Sequence, residues 1–269
     1  MLAPWIIGFF PAHRIYTEAF GGAASVLFRK PRAKLVEVYN DADGEIVGLF
    51  RVLRDPSLSE DLTRSLALTP FARAEFEQSY EPCAGAVEQA RRTICRAFMG
   101  FGSDSASGAT TGFRASGNRQ TAHPAKDWSN YPREVLQFRA RLAGVVIENR
   151  DALDIIRQHD EAEALHYCDP PYPHSTRSPT TVRTSKGYRH EMTDEQHRAL
   201  AEVLHAARGM VVLSGYACDL YDRELYADWQ RHEREALADG GRERTEVVWL
   251  NPACVAALED GRSQQRMFG

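Results

Sequence analysis

Asp169, Pro170, Pro171 and Tyr172 follow one another with no residue between them, directly after the half-apolar run Ala164 to Cys168. That run reads as a strand. Consecutive prolines fix their own φ at about −65° and bias the preceding residue towards extended geometry, so the backbone leaving the strand is stiff. Asp169 puts a carboxylate acceptor at the strand's carboxyl end, where open α/β sheets collect ligands. Pro170 adds a carbonyl acceptor, and Tyr172 adds a flat face. Two acceptors and a stacking face suit an exocyclic amine on a heteroaromatic base: the amine's hydrogens point at the acceptors and its nitrogen faces an electrophile. The same residues also serve strands that end in proline-rich turns, so their partners elsewhere must decide.

Those partners belong to an alternation of strands and helices. Arg14 to Phe20 reads as a first strand, followed by Gly21-Gly22-Ala23-Ala24-Ser25 and an apolar helical turn, Val26-Leu27-Phe28. Small residues there let a ligand approach the backbone, although the Gly-x-Gly-x-x-Gly spacing is absent. Lys34 to Val38 reads as a second strand, leading into Tyr39-Asn40-Asp41-Ala42-Asp43. An acid about 20 residues beyond the glycine turn can accept hydrogen bonds from ribose hydroxyls, which makes Asp41 a candidate. Asp43 is expected to cap a helix over Gly44 to Arg54. Gly144 to Glu148 is a third strand, followed by the helix Ala152 to Gln158, and the fourth strand delivers Asp169. Thr193 opens a helix with Gln196 at capping-box spacing, and Gly209 is expected to end it. Met210 to Ser214 is a fifth strand. Trp229 to Leu237 and Thr245 to Asn251, joined through Asp239-Gly240-Gly241, read as a closing hairpin, and the tail from Pro252 as disordered or loosely helical. This alternation predicts an α/β fold.

Asp169-Pro170-Pro171-Tyr172 resembles the catalytic motif of amino-methyltransferases acting on DNA. These move a methyl group from S-adenosylmethionine to the amine of a flipped-out base. The aspartate form is similar to the adenine-N6 class, since the cytosine-N4 class usually has serine there. The particular resemblance is to Dam-type (D12 class) adenine methyltransferases, and it covers nearly the whole chain. It implies a Rossmann-like class I methyltransferase sheet with a closing antiparallel hairpin and an inserted, mainly helical target-recognition domain. It also implies that Asp169, Pro170, Pro171 and Tyr172 are catalytic, with no metal. The family's Glu-Pro-Phe-x-Gly-x-Gly-Ser pattern stands here as Glu18-Ala19-Phe20-Gly21-Gly22-Ala23-Ala24-Ser25. Ala19 replaces proline and Ala24 replaces glycine. The match implies that Glu18, Phe20, Gly22, Ala23 and Ser25 line the cofactor site, with Asp169 and with Asp41 of the second motif, Asn40-Asp41. Asp151 is either the N-cap of its helix or the acid that meets the cofactor's adenine amine, and both roles can hold at once. The family opens with a tryptophan and a Gly-Gly-Lys stretch, where this chain reads Met1-Leu2-Ala3-Pro4-Trp5 without that lysine. Either the start is truncated and affinity for S-adenosylmethionine is reduced, or Trp5 and its neighbours partly substitute. Adenine inside a duplex must be rotated out of the stack to reach these groups, at a cost of about a few kcal/mol.

With 269 residues, 43% hydrophobic and 26% charged, the chain has the composition of one or two soluble globular domains. No apolar run reaches the roughly 18 residues of a membrane span, and the apolar start lacks the basic residues and cleavage site of a signal peptide. Five cysteines without a Cys-x-x-Cys spacing point to reduced thiols in a cytoplasmic setting and away from zinc. The net charge of −4 is unevenly spread: Arg91 to Arg150 carries +6 and Pro173 to His190 carries +4, leaving −14 on the rest. Such segregation predicts a basic face for phosphates. The expected division is a catalytic domain from 1–54 and 143–269 with a target-recognition insert at 55–142. Helical pieces are expected at Phe71 to Tyr80 and Val87 to Phe98. Phe113, Arg114, Arg119 and Lys126 are the candidate DNA contacts of the insert. Arg177, Arg183 and Lys186 are those of a basic loop placed to close over the extruded base. The expected partner is double-stranded DNA. A restriction endonuclease, or none, and the oligomeric state are left open. A weak or silent DNA-binding relative, and a cytosine-N4 or RNA-adenine methyltransferase, remain the alternatives.

Overall fold

A computed structural model describes residues 2–100, 111–115, 124–173, 191–237 and 243–268. Its described residues divide into two compact units, one of 2–42, 144–173, 191–237 and 243–268, the other of 43–100, 111–115 and 124–143.

The first unit is built on seven strands: β1 (Ile15–Glu18), β2 (Val36–Asn40), β3 (Val145–Glu148), β4 (Ala164–Cys168), β5 (Met210–Tyr216), β6 (Gln230–Leu237) and β7 (Glu243–Leu250). They form one sheet in the order β3-β2-β1-β4-β5-β7-β6. The first five strands run parallel, and β7 joins β5 antiparallel with β6 completing a hairpin. This is the Rossmann-like α/β sheet with a closing hairpin that the sequence predicts. The second strand begins and ends two residues later than expected, so Asn40 stays in the ladder, paired with Glu148, and Asp41 is the first residue beyond it.

Because side chains alternate along strands, the register fixes two faces. Tyr16, Glu18, Glu37, Tyr39, Tyr167 and Ser214 share one. The other carries Cys168, Val211, Leu213 and Trp249. These pack with Ile156 of α7 (Ala152–Gln158) and with Leu200 and Leu204 of α8 (Asp194–Ala206) in the main apolar core. Thr193 and Gln196 form the capping box that opens α8. Gly209 does not end that helix, whose C-cap is Ala207. Gly209 is required instead by crowding, since a Cβ there would stand 2.9 Å from the carbonyl oxygens of Ala164 and Glu161. After β5 the chain makes a π-helix, Leu220–Leu225. The short α1 (Ala3–Ile7) precedes the sheet, and the tail is a helix, α9 (Pro252–Phe268). Asn251 starts α9: its Oδ1 accepts the N–H groups of Cys254 and of Val211, and its Nδ2 donates to Gly209 O.

The second unit is helical, with α2 (Gly44–Arg54), α3 (Pro56–Leu68), α4 (Arg73–Gln78), α5 (Ala86–Met99) and α6 (Pro124–Leu142). Asp43 caps α2 as expected, accepting Glu45 N–H at 2.9 Å. Yet α2 packs on α5, α3 and α6, so it groups with the insert rather than with the catalytic domain to which the sequence reading assigned residues up to 54. Buried Leu62, Leu66, Ile94, Met99, Trp128 and Val135 form its interior. Among the described residues no helix is long and apolar enough to cross a membrane.

Three arginines of the basic stretch do not contribute to a basic surface. Arg91, Arg92 and Arg96 are buried. Arg91 pairs with Glu75 and Glu88 at 2.7 Å each, Arg92 with Glu88 at 2.6 Å, and Arg96 with Glu45 at 2.5 Å. Hydrogen bonds from Arg91 and then Arg92 hold the Glu88 carboxyl down to about 2. Without Arg91, Glu75 loses its guanidinium while Glu88 keeps Arg92, and both carboxylates are partly exposed. Arg91→Met is therefore expected to lower stability by about 2 kcal/mol in urea unfolding, with unchanged DNA affinity per folded molecule. A variant with intact stability and weakened DNA binding would return Arg91 to the DNA-facing set.

Candidate active site

The chain leaves β1 for β2 and β3 on one side and leaves β4 for β5 on the other, so the β1–β4 pair is the switch point of the sheet. Ligands of open α/β sheets bind in the crevice at the carboxyl ends of such a pair. Glu18 is the last residue of β1 and pairs with Tyr167, two residues before Asp169. Asn40 ends the neighbouring β2. Glu18, Asp41 and Asp169, with the turn at 20–25 and the segment 170–172, are thus gathered at one sheet edge.

Asp169 is half-buried, beside buried Pro170. Burial pushes its carboxyl up to about 6, against hydrogen bonds from Ser214, Tyr172 and Tyr167 that favour the anion. The Tyr172 hydroxyl donates to Asp169 Oδ1 at 3.4 Å, and the hydroxyls of Tyr167 and Ser214 lie 3.0 Å apart. Tyr172 also meets Tyr216, with ring centroids 4.3 Å apart at 55°. Tyr167, Ser214 and Tyr216 were not singled out from the sequence. The signal was their period-2 spacing: Tyr167 two before Asp169, and Ser214 and Tyr216 alternating along β5 onto the same face.

The turn after β1 is tightly specified. Gly21 N–H donates to Asn40 O at 2.8 Å, and a Cβ on Gly21 would stand 2.1 Å from the Tyr39 ring. Gly22 has φ +48°, and its N–H donates to Asp41 Oδ2 at 2.7 Å. The Tyr39 hydroxyl donates to Gly22 O at 2.7 Å. Ala24 is buried with φ +52°, a left-handed conformation that costs an L-residue roughly 1–2 kcal/mol. The residues that follow make the expected helical turn, with Phe28 N–H reaching Ala24 O and Lys30 N–H reaching Val26 O, but it does not continue into a regular helix. Ala23 and Ser25 are exposed, and Phe20 packs partly buried against the apolar core. Asn40 Nδ2 donates to the Ala19 and Arg150 carbonyls, tying this turn to the one before α7. Asp151 is exposed and caps α7, accepting Leu153 N–H at 2.7 Å.

Trp5 is not brought into this cluster. It lies one helical turn before Phe9, packs edge-on against that ring at 5.4 Å, and Phe9 in turn meets His232 of the edge strand β6 at 4.6 Å. Phe10 reaches the site from beneath, 5.9 Å from both Tyr16 and Tyr167.

A family model of D12 class N6 adenine-specific DNA methyltransferases matches residues 1–239. The chain belongs to that family. Comparison with curated proteins finds no match. D12 class enzymes methylate adenine N6 in DNA with S-adenosylmethionine as donor, so DNA is the substrate here and S-adenosylmethionine the cofactor. The turn fits that cofactor: Gly21 has no room for a side chain, and a Cβ on Gly22 would meet nothing within 4 Å, so the backbone is open to a ligand.

The DNA-facing residues expected in this D12 chain are differently placed. Phe113 packs against Phe71 and Phe76, with centroids at 5.2 and 5.8 Å, under the Arg73 guanidinium. It is therefore part of the helical unit's own aromatic cluster. Arg114 is half-buried, its N–H bonded to Met99 O, and Lys126 is exposed on α6. Arg119, Arg177, Arg183 and Lys186 lie outside the described residues.

The two glycines predict different costs. Gly22→Ala meets open space and only backbone strain, a loss of about 1 kcal/mol. Gly21→Ala must displace Tyr39 and should destabilise several times more in thermal unfolding, and equal losses would contradict the geometry.

Proposed function

We propose that this methyltransferase holds its target adenine with Asp169 and the Pro170 carbonyl as acceptors for the two N6 hydrogens, and with Tyr172 stacked on the base. The placement of Asp169 carries this reading: a half-buried carboxyl among three hydroxyls, at the switch point, on the same sheet edge as the Gly21–Ser25 turn. As a carboxylate, Asp169 favours the positive charge that builds on the attacking nitrogen. Pro171 keeps the backbone extended, so both acceptors hold their direction.

Glu18, Phe20, Gly22, Ala23 and Ser25 are assigned to the cofactor side, with Asp41 towards the ribose and Asp151 towards the adenine ring. Asp41 accepts Gly22 N–H at 2.7 Å, which holds its carboxylate against the turn. When bound, S-adenosylmethionine supplies a methyl group on a sulfonium, an electrophile that needs no further activation. The helical unit is assigned to target recognition, with Arg114 and Lys126 of the described residues among its DNA contacts. Five free cysteines support a reducing, cytoplasmic setting.

Tritium transfer from S-adenosylmethionine to adenine-containing duplex DNA tests the catalytic assignment. Asp169→Ala is expected to abolish transfer with an unchanged circular dichroism spectrum, and normal methylation by that variant would sink the assignment. In the wild type, kcat/KM should fall as pH drops through about 6, because the raised Asp169 carboxyl takes up a proton there. A profile flat to pH 4.5 would separate turnover from this carboxylate.

A further inference from the structure

One face of the sheet buries two carboxyls, of Glu18 and Glu37, with the half-buried Asp169 at its end and Lys30 buried beside Glu37. Lys30 is 3% exposed, Glu37 4% and Glu18 2%. Lys30 Nζ lies 2.6 Å from Glu37 Oε1, donates to Pro31 O and sits 4.2 Å above the Tyr16 ring. Its charge is matched by Glu37, which also has Arg32 at 3.8 Å. Among the described residues Glu18 has no such paired cation. Its contacts are the Tyr16 hydroxyl, donating to Oε2 at 2.7 Å, and the Leu27 N–H. Facing it are Tyr39 and Glu37 from β2, Tyr167 from β4, Asp169 just beyond that strand, and the more distant Lys30. A buried carboxyl without a paired cation and beside another acid favours its neutral form. Burial first, and Asp169 further down the order, push Glu18 up to about 8 against those two hydrogen bonds.

We propose that Glu18 is a neutral carboxyl in the free protein and gives its proton to solvent when a sulfonium occupies the crevice, so that it selects the charged methyl donor over the uncharged thioether product. This rests on the cofactor reading above. Asp169 would hold the amine that attacks the methyl group, and Glu18 pairs with Tyr167 two residues before it, so a sulfonium bound for transfer would stand near both carboxyls. Near a fixed cation the Glu18 anion gains a partner and the proton leaves. The thioether brings no charge, so Glu18 keeps its proton. By linkage, affinity for the sulfonium compound rises with pH between the bound and free titration points of Glu18, at up to about tenfold per pH unit. Affinity for the thioether lacks that contribution. Both compounds share one amino-acid end, so protons released there cancel in the comparison.

The test is calorimetric titration of the full chain with S-adenosylmethionine and with S-adenosylhomocysteine at pH 7, in buffers of differing ionisation enthalpy. The expected result is release of up to about one more proton with S-adenosylmethionine, and a donor-to-product affinity ratio that rises from pH 7 to pH 8, above the range in which Asp169 takes up its proton. Glu18→Gln keeps the side chain's shape and one acceptor oxygen and removes the charge, and should abolish both effects. As a second readout, the protonated-carboxyl infrared band should be lost on adding the sulfonium compound and persist with the thioether. Equal proton release by the two ligands overturns the proposal and leaves the cofactor site standing, as does an excess that survives in Glu18→Gln. Failure of both ligands to bind overturns the cofactor reading itself.

Discussion

Parallel pairing of β1 with β4 is the constraint on which the site depends. It joins Ile15–Glu18 to Ala164–Cys168 across most of the chain and sets Glu18 opposite Tyr167. Because alternate residues share a face, this one register aims Tyr16, Glu18 and Tyr167 the same way and puts Asp169 at the strand end beside them. A slip of one residue would turn the polar set into the apolar core, so the core that Cys168, Val211 and Leu213 form with α7 and α8 enforces the geometry of the acids.

That polar face is an unusual burden for a parallel sheet, whose strands are ordinarily apolar on both sides. Hydroxyls make it tolerable. Tyr16 serves Glu18, and Tyr167 and Ser214 serve Asp169. Each donates without adding charge, so the acids stay poised near neutral pH instead of being fixed as deep ion pairs. The helical unit takes the opposite course: Glu88 and Glu75 are met by full guanidiniums, and Glu88 is held firmly ionised.

Much of this was legible in the sequence because it is local. The Asp169-Pro170-Pro171-Tyr172 corner, the Asp43 cap and the Thr193–Gln196 box show in neighbours within a few residues, and the small residues of the Gly21–Gly22 turn mark it even though Tyr39, Asn40 and Asp41 hold it. The remainder depends on distant partners. Arg91, Arg92 and Arg96 look like surface charge until Glu75, Glu88 and Glu45 are known to surround them. Phe113 looks like an exposed aromatic in a small-residue stretch until Phe71 and Phe76 are placed against it. Trp5, on α1, packs against Phe9 just past that helix, an i, i+4 contact that competes with any role at the site. Gly209 was read as a helix stop because its crowding by Ala164 and Glu161 arises only in three dimensions.

The pairing of β2 with β3 gives the insert unusual latitude. The chain leaves the sheet after Asn40 and re-enters at Val145, on adjacent parallel strands whose paired span, Glu37 to Asn40 against Val145 to Glu148, is four residues. At about 3.3 Å per residue, exit and entry are separated by little more than one strand length, the gap that a lone crossover helix spans in simpler sheets. To the sheet, a hundred inserted residues and a dozen are nearly equivalent, since each doubling of a connection adds only about 0.6 kcal/mol of closure entropy. The sheet and the inserted unit can therefore change independently, and one insert can replace another without disturbing the register that holds the acids in place.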